Sequence, residues 1–310
     1  MKNLPYRQFA QSALSEGASM GTQEKLLYTH NPVIHFLATM SHRIFNWVDE
    51  TFIGKDTFNP AQFEITDTAL TLPRLPAAFD GYRIAHISDI HIDTWLGLER
   101  LEHVIEMVNA QRADLVVITG DFITYHVPHL TRGMEPLLRN LHAPDGVMAV
   151  LGNHDYWAAP DDVRRMLRNA GIREMGNRVH TLQRGDDRLH IAGLDDVYNK
   201  HDHLNSILRH LPLDGAAILL VHVPDFADVA AATGRFDLCL SGHTHGGQMV
   251  LPFSNRPLVL PPYGKKYHSG LYRIGEMYQY TTRGLGTSTV AIRINCPPEI
   301  SILTLHSPLA

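Results

Sequence analysis

Ser241-Gly242-His243-Thr244-His245-Gly246-Gly247-Gln248 follows the apolar run Leu238-Cys239-Leu240. An apolar run that breaks into glycine-fenced histidines reads as a buried strand ending in a tight loop, with both imidazoles past its tip. Imidazole is a borderline ligand that suits Zn, Fe, Ni or Cu, and a His-x-His pair at a strand end can reach one ion or two neighbouring ions. Taken alone, a polar turn with satisfied histidines accounts for it equally. Four stretches upstream change that reading, because each also ends an expected strand.

From Tyr82 onward the chain alternates strand, loop and helix. Ile84–Ser88 runs into Asp89-Ile90-His91, and Leu115–Thr119 into Gly120-Asp121. Val147–Leu151 runs into Gly152-Asn153-His154-Asp155, and Ala217–Val221 into His222. In open α/β sheets ligands bind beyond the carboxyl ends of the strands. Any one of these turns is commonplace; together they deliver Asp, His and Asn to one edge. The set Asp89, His91, Asp121, Asn153, His222, His243 and His245 exceeds the four ligands of a structural zinc. It suits two divalent ions with one carboxylate bridging them, since adjacent cations repel and need a shared anion. Mixed oxygen and imidazole ligands point to Mn, Fe or Zn rather than Ca or Mg.

Such a pair lowers the pKa of a shared water to give a hydroxide nucleophile near neutral pH. It also neutralises a phosphoryl oxygen and clamps an in-line displacement, at a separation of roughly 3.5–4 Å. The leaving oxygen still needs a proton. His154, next to Asn153, is free to serve as the general acid, and Asp155 is expected to hold its ring by accepting a hydrogen bond.

The remaining pattern supports an α/β core of two packed sheets. Residues 63–72 read as a strand; Leu98, Leu101, Ile105 and Val108 mark one face of a helix. Further helices are expected around Met134–Asn140, from Pro160 or Asp161 to Asn169, near His203–His210 and over Phe226–Ala232. Val179–Gln183 and Leu189–Gly193 flank a turn and read as a hairpin, and strands follow at Gly270–Ile274, Met277–Thr282 and Ile300–Leu305. Upstream, Val33, Leu37, Met40, Ile44 and Val48 recur at three- and four-residue steps, so Pro32–Val48 reads as an amphipathic helix. Packing on the main domain is the plain role for it and a membrane interface the sharper one.

Composition narrows the function class. With 310 residues, 44% of them apolar, the chain can bury a full core. A net charge of −5 with interspersed signs argues against a nucleic-acid surface. Two cysteines, neither in a Cys-x-x-Cys spacing, argue against a disulfide scaffold or a cysteine zinc site. The chain carries twenty histidines; those outside the constellation, such as His126, His129, His201 and His203, read as solvated loop and helix-end residues. No charged stub leads into a signal core, and no window reaches the roughly 18 apolar residues of a span. These features predict a cytoplasmic protein, with peripheral contact at the inner membrane as the variant reading.

Asp89-x-His91, Gly120-Asp121, Gly152-Asn153-His154-Asp155, His222 and Gly242-His243-x-His245 together resemble the signature of the calcineurin-like metallophosphoesterases. The resemblance runs from about Gly81 to Leu305 and implies a four-layer α/β/β/α sandwich of two mixed sheets with flanking helices. It implies that Asp89, His91, Asp121 and His245 hold one ion, that Asp121, Asn153, His222 and His243 hold the other, and that His154 is the catalytic acid. The domain plan it suggests is an N-terminal arm with the amphipathic helix and a lead-in strand over 1–75, and a metallophosphoesterase domain over 76–310. Leu72-Pro73-Arg74-Leu75-Pro76, Gly242-His243-Thr244-His245-Gly246-Gly247-Gln248-Met249 and Arg283-Gly284-Leu285-Gly286-Thr287-Ser288 look like a bacterial phosphodiesterase branch. That branch has membrane-associated relatives and one group hydrolysing UDP-diacylglucosamine, which implies a phosphodiester or pyrophosphate substrate, lipid-linked in the sharper form. Phosphomonoester hydrolysis and a non-catalytic membrane-surface binding protein are the alternatives. Arg283 reads either as part of a glycine turn or as a bidentate phosphate clamp. Lys265 and Lys266 raise the same question more weakly.

Overall fold

The computed structural model describes residues 59–92, 95–125, 127–253, 256–288 and 291–310. The expected Pro32–Val48 helix lies outside them. In chain order the strands are β1 (Glu64–Thr71), β2 (Tyr82–Ile87), β3 (Leu115–Thr119), β4 (Val147–Val150), β5 (Arg173–Glu174), β6 (Arg178–Arg184), β7 (Asp187–Gly193), β8 (Ala216–Leu220), β9 (Leu238–Ser241), β10 (Gly270–Ile274), β11 (Met277–Thr281) and β12 (Glu299–His306). The α-helices are α1 (Leu98–Ala110), α2 (Pro128–Leu138), α3 (Asn153–Ala158), α4 (Pro160–Asn169), α5 (Leu204–His210) and α6 (Ala227–Ala232).

The strands form two six-stranded sheets, ordered β1-β12-β2-β3-β4-β5 and β10-β11-β9-β8-β7-β6. Both are mixed. β2 through β5 run parallel and β12 runs antiparallel to β2, while in the second sheet β7, β8, β9 and β11 run parallel between antiparallel β6 and β10. Parallel strands are covered on both faces, so they read as continuous apolar runs. β3 (Leu-Val-Val-Ile-Thr) and β8 (Ala-Ala-Ile-Leu-Leu) are buried at every position.

Period-two alternation splits each strand between two apolar layers. Ile84, Val117, Val150, Ile218, Leu240 and Leu303 fill the space between the sheets. Their neighbours Ala85, Val116, Ile118 and Ala149 face outward onto α1, α2 and α4. On the far side Ala217, Leu219 and Cys239 meet α5 and α6. Three apolar layers therefore separate four structural ones, as the α/β/β/α expectation requires.

Local chemistry sets the helix limits. In α1 the buried residues Leu101, Val104, Ile105 and Val108 follow the three- and four-residue steps of one helical face. α4 opens on Pro160 with Asp161 and Asp162 in its first turn and Arg168 in its last, matching the helix dipole. It closes in a Schellman motif: Ile172 N–H donates to the Leu167 carbonyl (2.9 Å) and Gly171 N–H to that of Arg168 (3.1 Å), with Gly171 at φ +77°. The helix expected around Met134 starts earlier, at Pro128, because a proline fits the first helical turn, where its missing N–H costs nothing. The short β5 and α3 escape a periodicity argument through their length.

Ile218 lies in the middle of the inter-sheet layer with no exposed surface. Ile218→Ala should cost about 2–5 kcal/mol, the range for truncating a buried aliphatic side chain. Urea denaturation is expected to show a lower midpoint at an unchanged slope.

Candidate metal centre

The parallel strands of both sheets deliver their loops to one rim. Asp89 and His91 follow β2, Asp121 follows β3, and Asn153 and His154 open α3 directly after β4. His222 follows β8, and His243 and His245 follow β9. All of them are buried. Five of these residues adopt left-handed backbone: Asp89 (φ +52°), His91 (+43°), Asp121 (+55°), His243 (+74°) and His245 (+52°). Asp and His tolerate that region better than most residues, yet such a cluster of unfavourable conformers marks a site whose surroundings over-determine it.

The Asp155 carboxylate does much of that work. Its Oδ2 accepts from the N–H of Asp121 (2.9 Å) and Gly152 (3.0 Å), and its Oδ1 from those of Phe122 (2.9 Å) and Ile123 (3.2 Å). Burial and the charge of Asp121 push its pKa up to about 7, against the pull of these donors. Asp155 was expected to hold the His154 ring; it instead staples the β3 and β4 loops together. The reason is geometric. Asp155 sits at the third residue of α3, where a carboxylate meets free backbone N–H groups. His154 gains its polar partner from the Thr124 backbone.

Two glycines allow the loops to close. A Cβ on Gly152 would lie 2.1 Å from Asp121 Oδ1, and one on Gly242 would lie 2.3 Å from Asp89 Oδ2. Through that second contact the β9 loop docks on Asp89, whose oxygens accept from His243 N–H at 3.0 and 3.1 Å.

The side chains fall into groups whose donor atoms lie within 4.8 Å of one another: Asp89, His91 and His245; Asp121, His222 and His243; and His91, Asp121 and His154. Asp121 Oδ2 stands 3.4 Å from His91 Nε2 and 3.1 Å from His222 Nε2, so it belongs to both sides. His245 Nε2 is 3.2 Å from His91 Nε2 and 3.6 Å from Asp89 Oδ1. His243 Nδ1 is 3.3 Å from His222 Nε2. Outer hydrogen bonds aim these rings. His222 Nδ1 donates to the Thr119 carbonyl (2.6 Å) and His243 Nε2 to the Pro262 carbonyl (2.8 Å), which turns the other nitrogen of each ring inward. His91 Nδ1 meets Thr124 Oγ1 at 2.9 Å.

These residues fit divalent cations. Burial, and then the charge of His222, pushes His243 down to about 3; burial and then His91 hold His245 well below the usual range. Both shifts favour the neutral imidazole that metal ligation requires. Burial opposes a charge on His222, yet Asp121's charge and hydrogen bond outweigh it and push that pKa up to about 10. Asp121 itself is drawn well below the carboxylate range, because His222 and His154 outweigh its burial. Asn153 Oδ1 is buried with no hydrogen-bond partner, an orphaned acceptor of the kind a cation satisfies.

Every residue predicted from the sequence as a ligand lies at this rim, and His154 joins them. Its ring is 4.8 Å from those of His91 and Trp157. Arg283 is not a phosphate clamp: its guanidinium is committed to Glu299 (2.8 Å) and Glu64 (2.9 Å), so the turn reading holds. Lys266 likewise pairs with Asp228 at 2.7 Å. Sequence reasoning missed the far wall of the cavity, where Trp157, Tyr198, Gln248 and Leu260 stand opposite the ligands. Trp157, three residues after His154 on α3, carried a usable signal, since that spacing shares a helix face.

Asp155→Asn keeps the shape but turns an NH2 group toward two of the four backbone donors. It should cost at least about 1–3 kcal/mol from the unsatisfied groups and weaken divalent-metal uptake. Asp161→Asn, at an exposed carboxylate, should change neither. Paired denaturation and metal-binding titrations check both variants.

A profile described as calcineurin-like phosphoesterase matches residues 82–247. The chain is 38% identical over 254 residues to the "Uncharacterized metallophosphoesterase YkuE" of Bacillus subtilis, covering 80% of this chain and 87% of that one. Phosphodiesterase YaeI of Escherichia coli is 28% identical over 250 residues, 79% of this chain and 89% of its own. A "Transmembrane protein with metallophosphoesterase domain" from Danio rerio is 32% identical over 257 residues, 78% of this chain and 57% of its own length. Among the described residues of this chain, no helix is long and apolar enough to cross a membrane. A ligand rim built this way, within a match of that extent, makes the chain a member of the calcineurin-like phosphoesterases, metal-dependent hydrolases of phosphoric esters.

Proposed function

We propose that the protein hydrolyses a phosphodiester or pyrophosphate at a dinuclear centre of Mn, Fe or Zn, with Asp121 bridging the ions. Asp89, His91 and His245 complete one ligand set, and Asn153, His222 and His243 the other. The observation that carries this reading is the position of Asp121 Oδ2, within 3.4 Å of one set and 3.1 Å of the other. When bound, the two cations supply the charge that lowers the pKa of water and neutralises phosphoryl oxygens. The chain supplies the rest. Asn153 and the histidines would hold the cations at the rim, and burial of the whole set strengthens each electrostatic contact. His154 gives a proton to the leaving oxygen. Burial pushes its pKa down to about 4 against the pull of Asp121, and an anionic phosphate beside the ring raises it again.

The sharper form of this reading is an amphiphilic, lipid-linked substrate of the UDP-diacylglucosamine type, met at a membrane surface. A cavity of about 400 Å³ is lined by the polar Asp121, Asn153 and His245 together with the apolar Met249, Leu260 and Pro261. A phosphate ester with an apolar body matches both kinds of lining. Leu251, Phe253, Leu258, Val259, Ile292 and Ile294 are exposed beside it. Bridges between Met249 and Ile294 and between Val250 and Pro257 join the segments that carry them.

His154→Ala should retain metal yet lose about 10²–10⁴-fold in turnover of alkyl esters, whose leaving alkoxide needs a proton. Nitrophenyl esters should lose far less; equal losses would remove His154 from that role. Val259→Asp places a charge on the exposed cavity wall without disturbing the core. Its KM for a lipid-linked pyrophosphate in mixed micelles should rise at least about tenfold, since one charge in an apolar contact costs more than 1.4 kcal/mol. Turnover of a small soluble aryl diester should stay near wild type. A uniform change on both substrates would point away from the amphiphile.

A further inference from the structure

We propose that Arg293 is a positioning residue for one half of the centre, so that the two ion sites are supported unequally. The inference rests on the dinuclear reading above and goes beyond it. Arg293 is half-buried, and among the described residues no carboxylate forms an ion pair with it. Its guanidinium gathers backbone carbonyls instead: Nη2 donates to Arg283 (2.8 Å), Gly284 (3.2 Å) and Gly286 (2.6 Å), Nε to Gly286 (3.0 Å), and Nη1 to Cys296 (3.3 Å). A planar fork with five donors can span several carbonyls of one loop, whereas the three donors of an ammonium radiate from a single atom and reach fewer of them.

The loop so gathered lies directly under the β2 ligands. Leu285 N–H donates to the Ser88 carbonyl (2.9 Å) and Gly286 N–H to that of Asp89 (2.7 Å). Gly284, at φ +68°, packs so close that a Cβ there would lie 2.7 Å from Asp89 Cβ. From the other side Glu299, buried between the sheets, receives Arg283 N–H (3.1 Å) and Nε (2.8 Å) and anchors the loop's first residue. The same Nη2 of Arg293 stands 3.5 Å from His245 Nδ1, behind the ring nitrogen that faces His91. Asp89 and His245 therefore share one brace.

The other half has different supports. His222 is aimed by Thr119, His243 by Pro262, and Asn153 by its place in α3. None of these contacts runs through residues 283–286. One backbone contact crosses between the halves, from His243 N–H to the Asp89 carboxylate. The His243 ring is nonetheless aimed by Pro262, so loosening the brace should displace Asp89 and His245 more than Asn153, His222 and His243.

The test is Mn(II) binding to the full chain, followed by calorimetry, metal analysis and electron paramagnetic resonance. Wild type is expected to take up two ions and give an exchange-coupled signal. Arg293→Met should bind one ion with unchanged affinity and the second at least tenfold more weakly, with an uncoupled six-line spectrum at one equivalent. Arg293→Lys keeps the charge but not the fork, and should weaken the same ion to a smaller extent. If the methionine variant does not fold, as judged by circular dichroism, the lysine variant decides. Two ions in wild type with both affinities falling together, or neither falling, would overturn the role of Arg293 alone. A single ion in wild type would overturn the dinuclear reading and this proposal with it.

Discussion

The Asp155 carboxylate, with its four backbone N–H donors, is the contact on which the metal rim depends. Parallel strands end in loops whose first amides have no ladder partner, and those amides must be satisfied once buried. One carboxylate satisfies four of them and in doing so joins the end of β3 to the end of β4. Asp121 is thereby held with its backbone left-handed and its side chain turned toward His91 and His222. Two further amides complete the hold on Asp121, His91 N–H at its carbonyl (3.0 Å) and His154 N–H at its Oδ1 (2.9 Å). The ligand contributes charge, and the staple determines where that charge lies.

This division of labour explains what could and could not be read in the sequence. The candidate ligands stood out in the sequence because each follows an apolar run that reads as a buried strand, and because metal chemistry restricts residue type at those points. An α/β core of two packed sheets was legible from the strand–helix alternation, and its four-layer arrangement from the resemblance to the phosphoesterase family. Support residues were not. Asp155 looked like a partner for its sequence neighbour His154, whereas its place at the start of α3 gives it a different set of donors. For Arg283 the glycine-rich surroundings left a turn and a phosphate clamp both open, since Glu299 and Glu64 lie 16 and 219 residues away in sequence and no local pattern announces them. The same holds for Arg293, whose partners are backbone carbonyls. A carbonyl leaves no mark on residue type.

The cavity wall tells a similar story. Trp157 stands three residues from His154 on one helix, so its presence there follows from spacing. Tyr198, Leu260 and Pro261 arrive from segments without regular structure, and only the tertiary fold brings them to Asn153. Trp157 also donates to Asn199 (3.2 Å), and Asp196, buried, accepts from the Tyr198 and Asn199 amides. The wall is therefore set by loop hydrogen bonds, whereas the ligand rim is set by strand ends.

Stiffness at the rim has an energetic cost that the core must carry. Five ligand residues with left-handed backbone cost on the order of 1 kcal/mol each, a sizeable part of the roughly 5–15 kcal/mol by which a typical domain is stable. Imidazole nitrogens converge there as well, 3.2 Å apart in His91 and His245 and 3.3 Å in His222 and His243. The two sheets offset this because the central parallel strands β3, β4, β8 and β9 are buried along their whole length and their ends cannot relax independently. A single-sheet fold with the same loops would let the ligands drift apart to the favoured backbone regions. Packing two sheets face to face, each with its parallel strands ending at one rim, holds the candidate ligands at close range.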